Sequence, residues 1–67
     1  MTADELFNEL LSNRKLWRSK GLSLYSQNQF VKRRNKGKEA QLWTMESYLL
    51  RAGYKILSGT GRKAQWG

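Results

Sequence analysis

Gln27, Asn28 and Gln29 stand side by side, and Lys32, Arg33, Arg34, Lys36 and Lys38 follow within the next nine residues. A carboxamide holds a donor and an acceptor in fixed geometry, so it can meet N6 and N7 of adenine together, while ammonium and guanidinium groups pair with phosphate oxygens. The chemistry on offer is recognition of a polyanion with readable edges. Bond-making chemistry has little to draw on, because the chain holds no histidine and no cysteine. Its five acids are Asp4, Glu5, Glu9, Glu39 and Glu46, and three of them crowd the first nine residues. An enzyme is not expected, nor a disulfide, a thiolate metal site or any other cofactor.

Charge is distributed as unevenly as the amides. The formal net charge is +8 over 67 residues. Nine cations, Arg14, Lys15, Arg18, Lys20, Lys32, Arg33, Arg34, Lys36 and Lys38, lie between Leu10 and Lys38, a stretch without a single acid. The rest of the chain is nearly balanced, so the excess belongs to one block. Such a block predicts phosphate contacts for Lys32, Arg33, Arg34, Lys36 and Lys38, with Arg14 and Lys15 touching backbone beside them. No apolar run is long enough to span a bilayer, and acids occupy the start where a signal peptide would be basic. A cytoplasmic chain with no membrane and no small-molecule ligand is expected.

These residues need a scaffold, and one small domain is all that the length allows. "MTADELFNELLSN" has capping-box spacing at Thr2 and Glu5, with Leu6, Phe7, Leu10 and Leu11 on one face, which predicts a helix over 3–12. "SNRKLWRSKG" predicts a two-turn helix capped by Ser12 or Asn13 and closed by Gly21, with Leu16 and Trp17 as its apolar contact. In "LSLYS", Leu22, Leu24 and Tyr25 are expected to plug the core. A third helix is expected over 27–35, ending near Gly37. In "KEAQLWTMESYLLRAG", Leu42, Met45, Leu49 and Ala52 form a stripe that Trp43, Tyr48 and Leu50 widen, and the first and fourth helices are expected to wall the core. "YKILSGTGRKAQWG" reads either as a β-hairpin, with Ile56 facing Ala64 and Tyr54 facing Trp66, or as a tail anchored by Trp66. The fold class expected is therefore mainly α: four short helices around a helix-turn-helix, with a small C-terminal hairpin.

A short helix, a glycine, a connector and then a polar, cationic helix is the layout of a helix-turn-helix. The order "RKLWRSKGLSLYSQNQFVKRRNKGK…LLRAGYKI" resembles the small helix-turn-helix domains of phage and mobile-element repressors, the Cro and Xre type. Its "NKGK" at 35–38 and "LLRAGYKI" at 49–56 match turns of that family, and the resemblance covers about residues 14 to 56. It implies double-stranded DNA as partner, a homodimer and repression of transcription.

Two caps compete for the third helix. Taking Gly21 as the family's turn glycine makes Ser23 the cap; Gln27 then turns inward onto a core position, the reading residues become Leu24 and Tyr25, and the case for sequence-specific binding weakens considerably. Taking Ser26 as the cap buries Phe30 and places Gln27, Asn28 and Gln29 in the first turn, where the family's base-reading side chains lie. The second register is preferred, with Ser26 also within reach of phosphate. Three consecutive residues spread over roughly 200° of a helix, so one or two read bases, Gln27 and Asn28 foremost. The aromatics Trp17, Phe30 and Trp43 are assigned to the core. The alternative function is a basic module that docks on an acidic protein or binds nucleic acid without sequence preference.

Overall fold

The computed structural model describes residues 1–67 and is mainly helical: α1 (Ala3–Ser12), α2 (Arg14–Ser19), α3 (Leu24–Asn35) and α4 (Leu42–Arg51), then an antiparallel pair, β1 (Ile56–Ser58) and β2 (Gln65–Trp66). α1 begins as its sequence dictates. Thr2 Oγ1 accepts from the Glu5 amide, and Glu5 Oε1 accepts from the Thr2 amide at 3.0 Å. These bonds satisfy donors that a helix start otherwise leaves open. The Glu5 carboxyl lies below its ordinary value of 4.5, chiefly because the Thr2 backbone N–H donates to it. Ala3, Leu6, Phe7, Leu10 and Leu11 are buried along one face.

α1 ends at Asn13, which starts the next helix as well: its Oδ1 accepts from the Leu16 amide at 3.0 Å. Of the two caps expected for α2, Asn13 is the one used. Gly21 follows with φ 77°, a left-handed conformation that stops α2 at little steric cost. Trp17 is fully buried and its indole N–H donates to the Ser23 carbonyl at 2.7 Å. One side chain thus fills the core and also fixes the turn between α2 and α3.

α1 and α4 are the most extensively packed pair of helices, as expected of the core's walls. Met45 and Leu49 of α4, with Ala52 just beyond its end, are buried in the core that α1 and α4 share. Phe7 is the hub of an aromatic group: its ring meets those of Trp17, Phe30 and Tyr48 edge-on at 6.0, 5.2 and 6.3 Å. Each such contact adds about 0.5–1.5 kcal/mol to the area buried. Trp66 closes the far side, buried against the core, with its amide bonded to the Met1 carbonyl.

Three expectations are corrected. The hairpin register pairs Ile56 with Trp66 and Ser58 with Gln65 across a bulge, in place of Ile56 with Ala64 and Tyr54 with Trp66. A 3₁₀ turn at Gly61–Lys63 lies between the two strands. Trp43 and Leu50 do not widen the core stripe of α4; they are 67% and 59% exposed. Trp43 stands two residues from Met45, about 200° round the helix, so burying one exposes the other. Of the three connector residues assigned to the core, only Leu22 is buried, Leu24 is half-buried, and Tyr25 is 73% exposed.

Candidate nucleic-acid interface

The register of α3 decides which side chains can reach a partner. Its cap is Ser23, whose Oγ accepts from the Tyr25 amide at 3.1 Å, so the helix starts three residues before the expected Gln27. Ser26 is therefore not a cap. It lies half-buried inside the first turn, where its hydroxyl accepts from the Tyr48 hydroxyl at 3.3 Å.

Gln27 turns inward. It is 3% exposed, the only buried residue of α3, and its Nε2 donates to the Leu11 carbonyl at 3.0 Å. Leu11 stands in the last turn of α1, where carbonyls have no partner within their own helix. An amide at position 27 supplies the missing donor and pins α3 to the end of α1. Gln27 is thus corrected from a base-reading residue to a positioning one. Phe30 still anchors the helix as expected, its ring 5.1 Å from Tyr48 and 5.2 Å from Phe7.

With Gln27, Phe30, Val31 and Arg34 inward or on the flanks, the opposite face of α3 carries Tyr25, Asn28, Gln29, Lys32, Arg33 and Lys36, all exposed. Tyr25, Gln29, Lys32 and Lys36 recur at intervals of four, three and four, a ladder about 16 Å long at 1.5 Å per residue. An α-helix fits a B-form major groove about 12 Å wide, and side chains along such a ladder face its floor. Tyr25 belongs to this face. The signal for it was the Ser23 cap, which puts Tyr25 in the first turn and Gln27 on the core side.

The predicted phosphate contacts divide. Lys32, Arg33, Lys36 and Lys38 are exposed on or just beyond α3, and Arg14 and Lys15 are exposed at the start of α2. Arg14 and Arg34 line one open groove with Ser12, Asn28 and Val31, so the α1–α2 corner stands beside the Asn28–Arg34 flank of α3. Arg34 is half-buried at the groove wall, and Ser26 is turned toward Tyr48.

Electrostatics set this face apart. A single salt bridge exists in the molecule, Arg62 to Asp4 at 3.5 Å. None of the nine cations between Arg14 and Lys38 has an acid partner, although Lys20 lies over the Tyr54 ring at 4.9 Å. Uncompensated cations on adjoining elements repel one another, and a bound polyanion turns that cost into attraction. No three acids come together in a cluster able to hold a metal ion.

No protein-family model, no curated protein and no solved structure matches the chain.

Proposed function

We propose that the protein is a helix-turn-helix DNA-binding protein of the phage or mobile-element repressor kind, which reads double-stranded DNA through the outer face of α3. The observation that carries this is the face itself: two exposed carboxamides and a tyrosine among cations that have no acid partner, on a helix held from behind by a buried amide. Asn28 and Gln29 contact base edges, Tyr25 packs on the groove wall or a thymine methyl, and Lys32, Arg33, Lys36, Lys38, Arg14 and Lys15 hold phosphates. One helix of this length offers few base contacts, so binding as a homodimer to two half-sites supplies the remaining specificity. Occupation of a promoter is then enough for repression.

In vitro selection from random duplexes, followed by titration of the enriched duplex against a scrambled one, tests this reading. Enrichment of a motif with adenines is expected, together with a fall in affinity of about four to five powers of ten per decade of salt if five or so phosphates are contacted. Failure to enrich any motif would leave only non-specific or protein binding.

A further inference from the structure

The outer face of α4 has no partner within the chain. Trp43, Ser47 and Leu50 follow one another at i, i+4 and i+7 and are all exposed. That spacing is the a/d seam of a helix pair, with Trp43 and Leu50 at d and Ser47 at the intervening a position. Glu46 precedes Ser47 at g and Arg51 follows Leu50 at e.

We infer that this face is the interface with a second copy of the chain, the two α4 helices lying parallel about a two-fold axis. Parallel alignment is selected by charge. A g residue meets the e residue five positions on in a parallel partner, so Glu46 of each copy meets Arg51 of the other, and the pair forms twice. In an antiparallel arrangement g meets g and e meets e, which would set Glu46 against Glu46 and Arg51 against Arg51.

Two further observations fit a second copy. Covering the seam strands neither of its own side-chain donors, because the Ser47 hydroxyl already donates to the Trp43 carbonyl at 2.9 Å and the Trp43 indole N–H donates to Gln41 Oε1. Between Glu39 and Arg51 the chain carries two acids and one cation, whereas the block from Arg14 to Lys38 carries nine cations and no acid. Two copies with a net charge of +8 each meet with least repulsion on α4.

The interface deepens the proposed DNA reading by supplying its dimer, yet it is measurable without DNA. Sedimentation equilibrium of the full chain alone should show a reversible monomer–dimer equilibrium. Leu50→Ser, at an exposed position outside the core, should abolish it while leaving the thermal melt in place. Glu46→Arg and Arg51→Glu should each weaken association about fivefold or more, and the double variant should recover most of the loss. A chain that stays monomeric up to about 1 mM, dimerisation indifferent to Leu50→Ser, or a double variant no better than its parents would overturn the inference. A monomeric chain that still selects a duplex motif would overturn the interface and leave the DNA reading standing.

Discussion

α1 and α3 are helices of similar length, yet they are held in opposite ways. α1 buries five apolar residues, and its polar side carries two acids in the first turn and no cation in the last. α3 buries one residue, and that residue is an amide. The difference separates a helix held by apolar burial from one whose outer side carries half of its side chains into solvent. A protein that needed α3 only for stability would place a leucine at position 27. Gln27 instead supplies the bond that α1 lacks at its end, and its 97% burial keeps it out of reach of any partner.

The largest effect expected from breaking this comparison lies on the α1 side. Phe7→Ala removes the ring at the centre of the aromatic group and should cost about 3–5 kcal/mol, which rivals the whole stability of a domain this small. Circular dichroism should show a chain that is largely unfolded at room temperature.

On the α3 side the two glutamines should part company. Gln27→Ala leaves the Leu11 carbonyl buried without a donor and should cost about 1–3 kcal/mol of stability, seen as a lower melting temperature. It should weaken the enriched and scrambled duplexes alike. Gln29→Ala should change stability by less than about 0.5 kcal/mol, yet lose about 1–3 kcal/mol of discrimination between the same two duplexes. Equal behaviour of the two variants in both assays would erase the distinction between positioning and reading.

Lys32→Ala sharpens the contrast from the electrostatic side. Removing one phosphate contact should lower the salt slope by about one and weaken every duplex to a similar extent. Fluorescence anisotropy at three salt concentrations is sufficient to measure it.

The smallest effect belongs to the α1 cap. The Glu5 carboxyl has a lowered pKa in the folded chain, so its contribution is present above the unfolded value and is lost as pH falls through the folded one. Glu5 is exposed, which keeps the term small. Between roughly pH 5 and pH 3 the natural chain should lose slightly more melting temperature than Glu5→Gln.

Much of the fold was legible because local signals agreed. The capping box at Thr2 and Glu5 coincides with the apolar periodicity of α1, and the glycines at 21, 37 and 53 do stand in left-handed conformations where helices end. The start of α3 was not legible in the same way. Ser23 and Ser26 are equally good caps by type, and the usual guide, an apolar residue at the buried position, points to the wrong one. Position 27 is buried because the Trp17 indole fixes the Ser23 carbonyl at the start of α3 and the end of α1 offers a carbonyl to the amide, both of which are properties of the packed chain.

The candidate site was legible to the same degree. The amide cluster and the basic block stand out by residue type and charge, and Asn28, Gln29, Lys32, Arg33, Lys36 and Lys38 are exposed in the structure, while Tyr25 came forward only with the cap. Trp43 and Leu50 were misplaced because every apolar residue of α4 was counted toward one stripe, although the helix carries two. That second stripe is the face proposed above for a second copy of the chain.

The most direct test of the division within α3 is a duplex titration followed through the side-chain amide signals of ¹⁵N-labelled protein. The Asn28 and Gln29 NH₂ resonances are expected to shift with the enriched duplex, while that of Gln27 stays where it is. A Gln27 signal that moves with the duplex, or unmoved Asn28 and Gln29 signals beside a shifting Trp43 indole, would contradict the assignment of DNA reading to the outer face of α3.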